Sequence, residues 1–258
     1  MDWKKESEMF NQMSDYYDRF RPGYPDEIIH TLIKETGIQK GAKLLEIGAG
    51  SGKATELLAD GGYTILAIDP GNDLVEKGNR RFSETSIRFK AARFEECELP
   101  ERYYDVVYSA QAFHWIPQPA GYEKCALTLK DNGFLALFWN MYIVFDNDSD
   151  WELLSISKRH GGFADFLSES ECENRICSIT AGIKNSGLFS TPKIFRKLWT
   201  HKYSADDYYG FALTSNTFVQ QSEREKKEAR VELTALAEKN NGLIERPYLC
   251  VLYIATKL

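Results

Sequence analysis

One stretch limits the fold more than any other: Leu44-Leu45-Glu46-Ile47-Gly48-Ala49-Gly50-Ser51-Gly52-Lys53-Ala54-Thr55. A short apolar run enters a turn in which glycine alternates with other residues, and leaves it as a helical pattern. Glycines in such a turn let the backbone adopt conformations barred to other residues and come close to a ligand. The start of the helix offers unpaired N–H groups that face an anion or carboxylate. A strand, a glycine turn and a helix in that order are the opening unit of an alternating α/β sheet.

The chain around it continues the alternation. Residues 43–47, 64–69, 87–91, 104–109 and 133–139 are short apolar runs that read as strands. Residues 53–60, 72–82 and 118–129 read as the helices between them. Strands apolar on both sides and separated by helices predict a parallel sheet covered on both faces. Before the sheet, residues 7–20 and 26–35 read as two helices broken at Arg21-Pro22-Gly23-Tyr24-Pro25. After Trp139 the regularity fades, and residues 141–190 read as an irregular, partly helical insertion. Residues 193–203 and 248–255 read as two closing strands. Ser222-Glu223-Arg224-Glu225 forms a capping box that opens a long helix, which Asn240-Asn241-Gly242 ends. The expected division is an N-terminal helical lid (1–40), a cofactor-binding core (41–140), the insertion (141–192) and a C-terminal segment that completes the sheet (193–258).

Composition narrows the function. The net charge of −6 over 258 residues lacks the basic excess of a nucleic-acid binder, so no nucleic-acid partner is expected. No run approaches the roughly 18 apolar residues of a membrane span, and the N-terminus lacks the apolar core of a signal peptide. The expected location is cytoplasmic, with no membrane partner. The 5 cysteines contain no C-x-x-C pair and have no histidine at ligand spacing, so free thiols and no metal are expected.

The glycine turn must then choose a ligand. A phosphate-binding P-loop needs G-x-x-x-x-G-K-[ST]. Here Ile47 stands where its first glycine belongs, and Ala54 follows Lys53. A dinucleotide fingerprint needs G-x-G-x-x-G. Gly48 and Gly50 fit it, but Lys53 occupies the third position, so a nicotinamide-dependent oxidoreductase stays as an alternative reading. The second strand ends in Asp69, nineteen residues past Gly50, where an acidic side chain bonds the ribose hydroxyls of an adenosine. Alone, Asp69 before Pro70-Gly71 is equally a turn residue. Downstream of this loop, ribose binding is favoured. Phe94, after the third strand, offers a ring for stacking on an adenine, or a core side chain.

Together, Glu46 with its G-x-G-x-G turn, Asp69, and Tyr104-Asp105-Val106-Val107-Tyr108-Ser109-Ala110-Gln111-Ala112-Phe113-His114-Trp115 resemble class I S-adenosylmethionine-dependent methyltransferases. Tyr17, Arg21-Pro22 and Tyr24-Pro25 resemble the Y-x-x-x-R-P-x-Y-P segment of the small-molecule, trans-aconitate methyltransferase-like branch. The resemblance implies a doubly wound, mostly parallel seven-stranded sheet of order 3-2-1-4-5-7-6, with the last strand antiparallel. It implies S-adenosyl-L-methionine as cofactor and S-adenosyl-L-homocysteine as product. By position, Glu46, Gly48, Ala49 and Gly50 would hold the methionyl part and Asp69 the ribose. Leu74, Arg93 and Phe94 would flank the adenine. Arg21 would pair with the cofactor carboxylate, and Ser109 and Gln111 would approach the methionyl part.

Methyl transfer from a sulfonium is an in-line displacement of an already activated group, so positioning and water exclusion carry most of the work. A base is needed only where the acceptor holds a proton at pH 7. His114 is the candidate, against a purely orienting role. Tyr17, Tyr24, Trp115, Trp139 and Trp199 are expected around the pocket of a small-molecule acceptor. The N-terminal helices are expected to close over it. A non-catalytic S-adenosylmethionine-binding regulator is a further alternative. Nothing in the sequence indicates the oligomeric state.

Overall fold

β1 (Lys43–Ile47) is buried from Leu44 to Ile47 and lies inside a seven-stranded sheet, with a paired strand on each side. The computed structural model describes residues 18–144, 147–163 and 166–258. Its strand order is β3-β2-β1-β4-β5-β7-β6, with β2 Thr64–Asp69, β3 Ile87–Ala91, β4 Tyr104–Ala110, β5 Leu129–Tyr142, β6 Lys193–Tyr203 and β7 Ile244–Thr256. The first five strands pair in parallel, and β7 runs antiparallel to both neighbours. The expected order and the antiparallel last strand are those observed. The chain winds outward from β1 to β3, then returns to place β4 on the other side of β1. That reversal opens a crevice at the carboxyl ends of β1 and β4, where doubly wound sheets bind ligands.

Side chains alternate between the two faces. Leu44, Tyr108 and Phe138 join one core cluster. Leu45, Val107 and Leu137 join the other, on the opposite face. The helices are α1 (Asp26–Thr36), α2 (Lys53–Glu56), α3 (Asn72–Arg81), α4 (Ala120–Thr128), α5 (Asp148–Arg159), α6 (Glu169–Asn185), α7 (Ala205–Ala212), α8 (Asn216–Val219) and α9 (Glu223–Lys239). Helices α5, α7, α8 and α9 build a third cluster around Leu153, Phe211, Phe218 and Leu233.

Several boundaries differ from the sequence reading. The helix expected over 53–60 ends at Glu56, because Leu57 and Leu58 turn their N–H groups back to Ala54 and Thr55 in tighter turns, and a 3-10 turn follows at Ala59–Gly61. β5 runs on to Tyr142 rather than ending at Trp139, since β7 pairs with it as far as Tyr142–Tyr248. β7 begins at Ile244 despite Pro247, which lies past the last rung with β5, so that ladder needs no N–H from it. The 141–190 insertion, read as irregular and partly helical, contains two capped helices. Asn147 caps α5, and Ser168 with Glu171 forms a capping box on α6. The capping box at Ser222 opens α9 as expected.

Of the expected first helix, residues 18–20 are helical, and the rest lies outside the described residues. The second, α1, sits against the sheet, with Ile28, Ile29 and Leu32 in the core beside Leu44 and Phe138. Residues 21–25 form the strap that reaches the crevice.

Candidate active site

The crevice begins where β1 ends. Gly48, Gly50 and Gly52 all have positive φ, at 68°, 58° and 97°, so each position favours glycine. Their surroundings differ. A Cβ on Gly48 would sit 2.2 Å from the Ala112 Cβ, and one on Gly52 would sit 2.7 Å and 2.8 Å from the rings of Phe82 and Phe89. A Cβ on Gly50 would meet nothing within 4 Å. Two glycines therefore seat the loop against its neighbours, and the middle one leaves bare main chain facing the cleft.

The loop is pinned from β2. The Gly48 and Ala49 N–H groups donate to the Ile68 carbonyl at 2.8 Å and 3.1 Å. The Gly50 N–H donates to Asp69 Oδ2 at 2.8 Å, and the Gly71 N–H to Asp69 Oδ1 at 2.8 Å. Asp69 lines the cleft. Burial raises its pKa, and the two N–H donors oppose that rise. An ionised carboxylate has about four acceptor sites, so each oxygen retains capacity for a hydroxyl.

Glu46 lies beneath the same loop. Its Oε2 accepts from the Tyr108 hydroxyl at 2.7 Å and from the Thr55 hydroxyl. Burial pushes its pKa up to about 7, the two donors oppose this, and the nearby Asp69 charge adds a smaller upward push. The other wall comes from the ends of β4 and β5. Gln111 takes φ 60°, its amide oxygen accepts from the Asn140 N–H at 3.0 Å, and its amide nitrogen donates to the Asn140 carbonyl at 3.2 Å. The side chain thus imitates one more rung of the β4–β5 ladder.

The strap supplies the remaining side. Arg21 donates from Nη1 to the Tyr142 hydroxyl at 2.7 Å, and from Nε to the Thr214 hydroxyl at 2.7 Å. Its guanidinium carbon lies 4.9 Å from the centre of the Phe211 ring. Tyr24 packs edge-on against Phe138 at 4.9 Å.

Among the described residues, the structure brings most of the expected positions to one cleft. Arg21 and Tyr24 reach it from the strap, and Glu46, Gly48, Ala49 and Gly50 from the loop. Asp69 ends β2 and Leu74 lies beyond it, Arg93 and Phe94 follow β3, and Gln111 and Trp115 follow β4.

Four expected positions are not among the lining residues, and Tyr17 lies outside the described residues. Ser109 is fully buried and donates to the Ile47 carbonyl at 2.8 Å, tying β4 to β1. Trp139 points to the opposite sheet face, where its ring meets Tyr253. Trp199 stacks on Tyr248 and donates to the Asn140 amide oxygen at 3.1 Å. His114 keeps an exposed face, and its Nδ1 accepts from Trp139 Nε1 at 3.3 Å. Surrounding protein, with a smaller effect from Arg175, pushes the His114 pKa down to about 4. The imidazole is therefore neutral at pH 7 but stands off the cleft wall.

The sequence reading missed Asn140, Tyr142, Ala112 and Ile116, which also line the cleft. Asn140 and Tyr142 lie on the part of β5 beyond its expected end. Their signal was the apolar and aromatic run that resumes beyond Asn140, at Met141-Tyr142-Ile143-Val144. Among the described residues, no group of three or more His, Cys, Asp or Glu side chains is placed to hold a metal ion. No helix among them is long and apolar enough to cross a membrane.

Comparison with known proteins bears on this geometry. Residues 45–137 match the family model of the methyltransferase domain. A protein of Schizosaccharomyces pombe named as an uncharacterized methyltransferase is 32% identical over 136 residues, 52% of this chain and 52% of that one. A probable S-adenosylmethionine-dependent methyltransferase of Saccharomyces cerevisiae is 27% identical over 172 residues, 64% of this chain and 57% of that one. The chain spans about half the length of the curated relatives it matches.

Among solved structures, a putative type II methyltransferase of Anaeromyxobacter dehalogenans superposes with a TM-score of 0.59 at 22% identity, covering 92% of this chain and 97% of that one. The phosphoethanolamine N-methyltransferase 2 of Haemonchus contortus, solved with S-adenosylhomocysteine, gives 0.54 at 12% identity, covering 99% of this chain and 59% of that one. At such identities the likeness is one of fold. Sheet order and sequence match agree: residues 45–137 match a methyltransferase domain, and the sheet that they help to build has the Rossmann-like methyltransferase fold.

Proposed function

We propose that this chain binds S-adenosyl-L-methionine in the cleft and transfers its methyl group to a small-molecule acceptor. One observation carries the reading: the side-chain-free face of Gly50 lies beside a buried carboxylate, Asp69, whose oxygens can still accept hydrogen bonds from hydroxyls. That pairing suits a ligand with a ribose and a chain that must lie against bare backbone. Glu46, the Gly48–Gly50 loop and Gln111 would hold the methionyl part. Asp69 would hold the ribose, and Leu74, Arg93 and Phe94 would border the adenine. Arg21 contributes positive charge toward a carboxylate.

The bound cofactor would supply a methyl group already activated on a sulfonium. The chain's own part is to exclude water and fix the direction of approach for in-line displacement. Tyr24, Trp115, Ile116 and Tyr142 would border the acceptor. His114 enters the proposal as the group that positions Trp139 and packs against Trp115, at 4.7 Å between ring centres. The strap and the helical cluster of α5, α7, α8 and α9 would form the cap, and residues 41–140 the cofactor-binding core.

Calorimetric titration of the chain with S-adenosylhomocysteine and with NADH tests the cofactor. Tight binding of the first and none of the second is expected. The reverse order would make the cleft a dinucleotide site. An acceptor screen that follows S-adenosylhomocysteine formation then separates an enzyme from a cofactor-binding regulator.

A further inference from the structure

We propose that Asn140 is a positioning residue that fastens the 21–25 strap across the cleft, with Phe138 and Tyr142 as the flanking anchors. Residues 138, 140 and 142 point to one side of β5, because side chains alternate along a strand. Each meets one residue of the strap. Phe138 carries the Tyr24 ring at 4.9 Å, Asn140 Nδ2 donates to the Gly23 carbonyl at 2.9 Å, and the Tyr142 hydroxyl accepts from Arg21 at 2.7 Å. The strap therefore runs down β5 in reverse order, one anchor per step.

The Asn140 amide can adopt only one orientation. An indole N–H only donates and a carbonyl only accepts. Trp199 therefore claims the amide oxygen at 3.1 Å, and Gly23 claims the amide nitrogen. Asn140 is 5% exposed, so a change there has no water to replace a lost partner. Its backbone is held by the paired Gln111 amide, so the side chain leaves a fixed point. One buried residue thus couples three pieces: its side-chain amide bonds the edge strand β6 and the strap, and its backbone bonds the loop after β4. Asp18, in the helical residues that lead into the strap, accepts from the Ser51 hydroxyl and ties that lead-in to the glycine loop.

The consequence for cofactor retention rests on the proposed function, while the fastening itself does not. The variant that separates the two bonds is Asn140→Asp. It keeps an oxygen for Trp199 and sets a second oxygen against the Gly23 carbonyl. Hydrogen exchange of the ligand-free full chain, read by mass spectrometry, is expected to show faster exchange in residues 20–28 and unchanged exchange in β1 and β4. S-adenosylhomocysteine is expected to bind the variant about tenfold more weakly, the effect of one lost buried hydrogen bond. Tyr142→Phe removes only the Arg21 acceptor and is expected to loosen the same peptide less, and it carries the test where Asn140→Asp does not fold. Equal strap exchange in wild type and variants, or faster exchange spread evenly over the sheet, overturns the proposal. If wild type binds no S-adenosylhomocysteine, the cofactor reading fails and the exchange result still decides the fastening.

Discussion

The carboxylate of Asp69 accepts the Gly50 N–H at 2.8 Å, so the end of β2 holds open the turn that follows β1. One side chain both shapes the loop and faces the cleft. Asp69→Ala should lower stability by roughly 1–3 kcal/mol, since two buried N–H groups lose their acceptor. It should also weaken S-adenosylhomocysteine binding by more than tenfold. Denaturant unfolding and calorimetry measure the two effects. Unchanged binding in a folded variant would remove Asp69 from the ribose site.

The glycines of the loop should separate by mechanism. Gly48→Ala combines a left-handed backbone with a clash against Ala112 and should cost roughly 3 kcal/mol or more. Gly50→Ala meets open space and should cost only about 1–2 kcal/mol, from its backbone alone. Gly50→Val should leave a folded chain whose S-adenosylhomocysteine affinity is lost. Urea midpoints and ligand titration check all three. Equal destabilisation at the two positions would contradict the geometry.

Glu46 should make stability depend on pH. Its pKa rises from 4.5 to about 7 on folding. The folded chain then holds this proton over a range where the unfolded chain has released it. Stability from this group is therefore lost as pH rises from about 4.5 to 7, by about 3 kcal/mol in total. Glu46→Gln keeps an oxygen for Tyr108 and Thr55 and removes the titration. The stability difference between wild type and Glu46→Gln should shift in favour of the variant between pH 5 and 8, then level off. A pH-independent difference would show Glu46 ionised throughout.

His114 should behave in the opposite sense. Its folded pKa of about 4 lies below its ordinary 6.5. The unfolded chain therefore takes up the proton first, and stability is lost as pH falls from 6.5 toward 4. In an NMR titration, the His114 ring resonance, assigned by its absence in His114→Asn, should not shift between pH 8 and 5. A midpoint near 6.5 would contradict the lowered pKa.

Much of the frame was legible in the chain. Leu44 to Thr55 announced a strand, a sharp turn and a helix, because apolar run, glycine spacing and helical pattern are all local signals. The Ser222 capping box marked the start of α9 for the same reason. Its counterpart at Ser168 carried an equal signal but sat in a stretch without strong apolar periodicity, which was read only as irregular and partly helical, without a helix start at Ser168. Of the candidate site, Glu46, Gly50 and Asp69 were readable because short connections place them at strand ends. His114, Trp139 and Trp199 were read by residue type. Which side of a strand or turn faces a cleft depends on neighbours far along the chain.

Asn140 and Tyr142 show that division most clearly. Residue order sets the alternation of side chains along β5 and the sequence of helices and strands, since both follow from backbone geometry and local apolar pattern. It does not set where β5 stops. That end is fixed by β7, whose ladder carries β5 on to Tyr142 from more than a hundred residues away. That long-range pairing extends β5 through Asn140 and Tyr142, the β6–β7 ladder brings Trp199 to the Asn140 amide oxygen, and the strap brings Gly23 to its amide nitrogen. Local sequence carries no energy term for those contacts, because they exist only after the sheet has closed.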